Sequence, residues 1–413
     1  MTALFCFLIY AAPVFAQADA QVEKAARELS LKVTGKPEGL ESLFDRSFFG
    51  NISIERFRGM LSGIYRDNGR VTEVRLESAG PGLTGHFIYC TDKGFEIPAA
   101  LSLDPESGRI IGLFFKAARK KSAALAQAAA GLSALPGKTG LFVVRLGSEP
   151  VTLAALNEKE YFAVGPVANL YVLGGMLEKG MFWNKVLRIR EEDRSLPPGR
   201  LRDWPAGSTV TVRELAAMMI SESDNIAADT LISALGRRRL EAALPGLRYS
   251  SPALLRPFLK TSEMLRLRSD TGASLKYLNL PAEEKYIFLS GLGRAPLSPE
   301  LLKRSPFGVD KADWVASPAD ICGLMGYFAD SGSAEALKIL ALNPGISLPE
   351  GKITYAGYKG GSEPGVLSAA WLLKNGGGEW FCVAASWNSE KEDLEETKFS
   401  GLLRDAIKAV GVI

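Results

Sequence analysis

The sequence predicts an α+β protein of two domains, and three observations predict it. A chain of 413 residues, 47% hydrophobic and 23% charged, holds enough apolar material for two packed cores and lies outside the disordered range. From 17 to 116 helical periodicity comes first and strand-like runs later, the order of a small domain in which helices cover one curved antiparallel sheet. From 137 to 413 strand-like runs stand at both ends of a long helical block, so one sheet has to be assembled from distant segments and faced by helices.

The elements follow in chain order. Residues 1–16 form an apolar run that ends in a small-residue pattern, with Val14 and Ala16 at the critical positions. They predict a secretory signal peptide, too short to anchor in a bilayer, and hence a periplasmic or secreted protein with no membrane span after its removal. The leading residues lack Lys and Arg, and Cys6 precedes most of the run, which counts against a lipoprotein. Helical spacing recurs at 22–31 and at 53–65, where Ile54, Phe57, Met60, Leu61 and Ile64 share one side. Strands are expected at 71–76, 86–90 and 110–115, the last after a turn at Asp104-Pro105-Glu106-Ser107-Gly108. Residues 117–136, rich in Ala, Lys and Gly, predict a linker or a connecting helix. Runs 141–146 and 151–155 predict a hairpin across Gly147-Ser148-Glu149-Pro150. Beyond the helical middle come strand candidates at 353–358, 367–374 and 380–387 and an amphipathic helix at 395–410.

Composition excludes several classes of function. The net charge of +3, from 49 basic against 46 acidic residues, generates no strong field for polyanions, which argues against nucleic-acid binding. Cys90, Cys322 and Cys382 do not announce a disulfide framework, and Cys382 reads as a buried strand residue. His86, the sole histidine, falls in the smaller domain and reads as a strand residue, so no Ser-His-Asp triad is available to the larger one. No His or Cys cluster and no Gly-rich phosphate loop is present, so neither a metal nor a cofactor is expected.

Chemistry-bearing motifs lie in the larger domain. Thr211 and Glu214 form a capping box that starts a helix, and Gly236 is a stop for the next, which places Ser223-Asp224-Asn225 in the turn between two helices. Such a turn presents a hydroxyl and an amide to a cleft. A second motif, Lys359-Gly360-Gly361-Ser362, falls on a strand; a fixed cation there suits a carboxylate, and its glycines admit a ligand backbone. Lys138-Thr139-Gly140 reads as a decoy that precedes the first strand of the domain.

With these motifs the chain resembles the serine β-lactamase and penicillin-binding protein superfamily in its class A form. It is similar in layout to two-domain exported proteins that join a steroid-isomerase-like (NTF2-like) N-terminal domain to a β-lactamase-like domain, here 17–116 and 137–413. The resemblance implies that Ser223 relays protons, that Asn225 with Gly361 and Ser362 helps to hold substrate, and that Lys359 binds its carboxylate. It also implies a Ser-x-x-Lys pair at the start of an apolar helix, where this chain reads Gly165-Pro166-Val167-Ala168-Asn169. Nucleophile and base thus fall on Pro166 and Asn169. A pyrrolidine ring offers nothing to acylate, and an amide is no base near neutral pH. Proline also lacks the amide hydrogen that in the family is one of two donors to the oxyanion, leaving only the donor at Ser362. Proline is favoured at a first helical position and Gly165 can cap it, so the fold should tolerate the change. No serine has a lysine three residues on, and Leu275 stands where a Glu-x-x-Leu-Asn motif ending at Asn279 would need its glutamate.

These observations lead first to an exported β-lactamase-like protein without acyl-serine catalysis that keeps a cleft for a small carboxylate-bearing ligand, β-lactam-like or peptide-like. A second reading is a working hydrolase with a displaced nucleophile, Ser223 or Ser362, served by Lys359. A third is a small-ligand binding module acting through the N-terminal domain.

Overall fold

The computed structural model describes residues 12–50, 52–120, 122–196, 199–292, 313–346, 352–390 and 394–410. The chain divides into two compact units, Met1–Lys121 and Ser122–Ile413. Residues 1–11 of the predicted signal peptide lie outside the described residues; the first helix begins at Ala12 and runs through the predicted cleavage position.

The first unit runs α1 (Ala12–Ser30), α2 (Leu40–Leu43), α3 (Ile54–Asn68), β1 (Val71–Ala79), β2 (Thr84–Thr91), β3 (Phe95–Leu103), β4 (Ile110–Phe115) and β5 (Arg119–Lys120). The sheet is antiparallel in the order β1-β2-β3-β4, with β5 also on β3. Ser53 starts α3 by accepting the Arg56 amide hydrogen, which satisfies one of the donors a helix start leaves open. The buried Phe57 and Leu61 of α3 pack with Val22, Ala26 and Leu29 of α1 on Phe87, Tyr89, Ile97, Ala99 and Leu101 of the sheet. The phenol of Tyr89 donates to the Ala26 carbonyl at 3.1 Å, so its burial leaves no polar atom stranded. His86 is an exposed residue of β2, between Ser78 and Ala100 on the neighbouring strands.

Strand β3 lies outside the strand-like runs expected from the sequence, and it carries Pro98. Strand β4 pairs with β3 at 99–103 and β5 at 95–96, so the proline falls where the ladder on that side is broken. Its carbonyl accepts from the Lys116 amide on that same side, and its missing N–H therefore interrupts nothing.

The second unit runs α4 (Ala123–Ser133), β6 (Lys138–Arg145), β7 (Val151–Leu156), β8 (Phe162–Ala163), α5 (Asn169–Glu178), β9 (Val186–Arg188), β10 (Thr209–Thr211), α6 (Val212–Ser221), α7 (Asn225–Leu235) and α8 (Arg237–Glu241). It continues through α9 (Thr261–Ser269), α10 (Thr271–Asn279), α11 (Ala282–Gly291), β11 (Val315–Ala316), α12 (Pro318–Ser331), α13 (Ala334–Leu340), β12 (Ile353–Glu363), β13 (Val366–Asn375), β14 (Trp380–Asn388) and α14 (Glu396–Val410). Its main sheet has the order β12-β13-β14-β6-β7, antiparallel throughout, so strands from both ends of the unit meet at the β14–β6 pair.

Both faces of that sheet are buried, by period-two alternation. Val144, Ala370, Leu372, Cys382 and Ala384 point into a core shared with the helical block, while Val143, Ala369, Trp371, Leu373, Phe381, Val383 and Ala385 point into a second core with α4 and α14. Residues 123–133 are therefore a packed helix of this unit, not a free linker. Lys138-Thr139-Gly140 is the opening of β6 and does not precede it, pairing opposite Asn388, Trp387 and Ser386; Lys138 points to the Tyr161 carbonyl and Glu160. None of the described helices is long and apolar enough to cross a membrane.

One expectation about the cysteines is corrected. Cys382 is a buried strand residue, but it is also disulfide-bonded to Cys322 of α12, which staples the sheet to the helical block. Sixty residues separate the two in sequence. Chain entropy gives a crosslink of that span about 4 kcal/mol at most, and native-state relaxation reduces it. The Cys322→Ala, Cys382→Ala double variant should accordingly lose about 2–4 kcal/mol in urea titrations of the full chain, with an equal loss when the unaltered protein is unfolded under reductant.

Candidate functional site

Three pieces of backbone from different parts of the second unit meet on the helical face of the sheet. The first is the start of α5. Gly165–Ala168 forms a 3-10 turn with Pro166 in its opening positions, and α5 then continues, buried from Asn169 to Met176. The cap position is held by Val164, not by Gly165, which has φ 49° and is the first residue of the turn. Proline fits because a helix start has no use for its N–H. Asn169 is 5% exposed and makes no side-chain hydrogen bond among the described residues.

The second piece is the turn between α6 and α7. Thr211 and Glu214 make the expected capping box and Gly236 closes α7. Asp224 is the organiser: one carboxylate oxygen accepts from the amides of Ile226 and Ala227, and the other accepts from that of Leu201 at 2.9 Å. Burial pushes its pKa up in spite of these three donors. Gly199 allows the approach of the 199–201 segment, since a Cβ there would sit 2.2 Å from Asp224 Cγ, and its φ of 118° suits glycine alone. So held, Ser223 adopts φ 54°, a left-handed conformation rare for a non-glycine residue. The Asn225 amide donates to the Leu196 carbonyl at 2.9 Å and is buried.

The third piece is β12. Lys359, Gly361 and Glu363 alternate onto the face that looks at α5, opposite Ala370, Ser368 and Val366 of β13. Ser362, opposite Leu367, belongs to the other face and is exposed at its own position. Gly361 packs on the 164–167 backbone so closely that a Cβ would lie 2.4 Å from the Val164 carbonyl oxygen. That same carbonyl accepts from the Ser368 hydroxyl at 2.6 Å.

These pieces bring Lys359 and Ser223 together. The Lys359 ammonium donates to Ser223 Oγ at 2.5 Å and to the Gly360 carbonyl at 2.7 Å, and the side chain is 2% exposed. It forms no salt bridge with any described carboxylate, and burial pulls its pKa down to about 7. Ser362 is not brought to Lys359, which removes it as a partner for that amine. Asn225 is committed to the backbone, and Pro166 and the buried Asn169 belong to the helix start on which Gly361 packs.

A cluster that motif reasoning missed lies at the end of the same strand. Arg268, in the last turn of α9, bonds Glu363 at 2.5 Å and Asp313 at 3.1 Å. Glu363 and Arg268 each keep 14% of side-chain exposure and Asp313 none. The sequence signal for Glu363 was its spacing of four from Lys359 on a strand; nothing local marks Arg268 or Asp313. Among the described residues no group of acidic, His or Cys side chains could hold a metal ion.

A sheet with helices on both faces, a Ser-Asp-Asn turn and a lysine strand facing one buried helix start define the second unit as a β-lactamase and penicillin-binding-protein-like fold. Residues 120–284 match the family model described as the Beta-lactamase enzyme family. Among solved structures, the β-lactamase of Desulfarculus baarsii superimposes with a TM-score of 0.50 at 17% identity, covering 71% of this chain and 99% of that one. The Sphaerobacter thermophilus β-lactamase gives 0.49 at 20%, covering 70% and 98%, and PBP-A gives 0.49 at 14%, covering 71% and 98%. At these identities the likeness is one of fold. Comparison with curated proteins finds no match.

The buried Lys359 has a pH signature. Its folded pKa lies below the ordinary 10.5, so the fold penalises the protonated amine. That penalty is fully present below about pH 7 and is relieved as pH rises from about 7 towards 10.5. The melting temperature of Lys359→Met minus that of the unaltered chain should therefore be more positive near pH 6 than near pH 9.5, which calorimetry at the two values checks.

Proposed function

We propose that the second unit is a β-lactamase-fold domain without acyl-serine chemistry at the start of α5, and that its groove binds a small molecule bearing a carboxylate. The observation that carries this is Pro166 in the 3-10 turn on which Gly361 packs, on a helix start that is otherwise intact. By the resemblance, Pro166 and Asn169 occupy the nucleophile and base positions. No hydroxyl, thiol or amine stands at either. Lys359 supplies the cation for a ligand carboxylate; Gly361, packed on the 164–167 backbone, Asn225, bonded to the Leu196 carbonyl, and Ser362, on the other face of β12, take no direct part. The Cys322–Cys382 disulfide supports an oxidising compartment, in keeping with export behind a signal peptide at 1–16. The first unit is assigned to the steroid-isomerase-like group on its layout of helices against one antiparallel sheet.

One observation favours a second reading. Ser223 Oγ touches an amine that burial holds near neutrality, the arrangement of a Ser-Lys dyad. In that chemistry the neutral Lys359 amine takes the hydroxyl proton as Oγ bonds to a substrate carbonyl carbon. The amine then passes the proton to the leaving group, and water frees the acyl chain from Ser223.

Incubating the full chain with a fluorescent penicillin and with a fluorophosphonate, followed by intact-mass and peptide analysis, separates the two. The first reading expects no adduct at all. An adduct on Ser223, lost in Ser223→Ala and suppressed in Lys359→Met, overturns it in favour of the dyad.

A further inference from the structure

A cavity in the helical block of the second unit is used by neither reading. Its volume is about 330 Å³, and α7, α8, α9 and α11 wall it together with Arg190, which precedes the short turn at 191–193. Asn225 opens α7 and Ser233 stands in its last turn, about 12 Å further along at 1.5 Å per residue, so the cavity lies at the other end of that helix from Ser223. Three cations line it, Arg190, Arg237 and Lys260, against one anion, Glu263. Ile232 and the ring of Tyr286 supply an apolar part; the Tyr286 hydroxyl donates to Glu241 at 2.5 Å, which fixes the ring.

The charges do not cancel. Asp193 is a fully covered carboxylate behind the wall, and it accepts from Arg190 Nε at 2.9 Å, from Lys260 Nζ at 2.8 Å and from Ser233 Oγ at 2.5 Å. Burial works to raise its pKa, but these donors outweigh burial and bring it below the ordinary value, so it stays ionised. One buried carboxylate thus answers two cations. Arg190 has a further partner in Glu192, which is 42% exposed and screened by water. Glu263 is spent on Arg237, whose Nη2 donates to its two oxygens at 2.5 and 2.7 Å, and on the Lys260 amide at 2.8 Å.

Donors are left over. Among the described residues Lys260 uses one of its three ammonium hydrogens on a side chain, and Arg237 Nε and Nη1 donate to nothing. These two side chains are only 16% and 17% exposed. The cavity therefore presents unspent N–H groups and about one positive charge that no buried carboxylate balances, beside apolar surface.

We propose that this cavity is a binding site for a small organic monoanion, with its carboxylate on Lys260 and Arg237 and its apolar body on Ile232 and Tyr286. An ammonium and a guanidinium edge give charge-assisted hydrogen bonds to a carboxylate, and a single negative charge matches the imbalance. The volume stands at the small end of ligand pockets, which run from about 300 to 1,000 Å³. This site is separate from Lys359 and does not rest on the function proposed for it.

Calorimetric titration of the full chain with benzoate, with its neutral isostere benzamide and with inorganic phosphate tests the site, in the unaltered protein and in Ser290→Trp and Lys260→Gln. Ser290 lines the cavity and is exposed, its hydroxyl bonded to the Ile287 carbonyl within α11, so an indole there takes up cavity space without entering the core. Lys260→Gln keeps a donor for Asp193 and removes the charge. Benzoate should bind the unaltered chain, and its Kd should weaken by about tenfold or more in each variant, the worth of one charge-assisted hydrogen bond. Benzamide should bind more weakly than benzoate by a similar factor. Failure of benzoate to bind the unaltered chain, benzamide binding as tightly as benzoate, or phosphate binding in its place overturns the proposal. A benzoate Kd unchanged in either variant that folds overturns it too, by placing the carboxylate elsewhere, Lys359 included; Ser290→Trp is the readout if Lys260→Gln does not fold.

Discussion

Burial of one sheet on both faces is the constraint from which the rest of the second unit follows. A strand that alternates between two apolar cores has no solvent side on which to carry polar residues. Among the polar residues that β12 and β13 hold on the helical face, Lys359, Glu363 and Ser368 must each find partners across the core boundary. Ser368 finds the Val164 carbonyl, Lys359 finds Ser223 and Glu363 finds Arg268. Together these contacts fix the height of the α5 start, the Ser-Asp-Asn turn and the end of α9 over the sheet. The meeting of these three elements is thus a consequence of satisfying polar atoms on a doubly buried sheet, whatever chemistry it carries.

Two local costs are concentrated where Ser223 meets Lys359. Ser223 sits in the left-handed region, which costs of order 1–3 kcal/mol for a non-glycine residue. Lys359 is buried beside a hydroxyl and a carbonyl with no counter-ion among the described residues, and its lowered pKa is the mark of that burial. Asp224 answers the first cost with three amide donors. Costs of this kind are met more often at sites that bind or react than in plain cores.

Much of this architecture was legible because its signals are local. The capping box of Thr211 and Glu214, the stop at Gly236 and the apolar runs of β13 and β14 each depend on residues within one element. The turn bearing Ser223 and the strand bearing Lys359 were legible for the same reason. What escaped is what depends on tertiary register. Cys322 and Cys382 are 60 residues apart, and nothing about either neighbourhood announces that α12 crosses β14 at that point. Pro98 hid β3, since a proline in a central strand is acceptable only where the neighbouring ladder is interrupted, and that interruption is made by two other strands. Arg268 belongs to this group too: its helix reads as ordinary, and only the fold shows which carboxylates surround it.

The packing of Gly361 on Val164 bears on how the site could change. On the proposed reading, a reactive centre was lost at Pro166 and Asn169 while the strand above them kept its place. Putting a serine and a lysine back at those two positions would supply the missing groups and would leave the space above them as it is. Glu363 already lies on Gly165, and the backbone at 164 allows nothing larger than glycine at 361. Reversal is therefore a question of volume before it is one of reactivity: the substitution that makes room comes first, and it lies on the strand at Glu363, beyond the lysine motif.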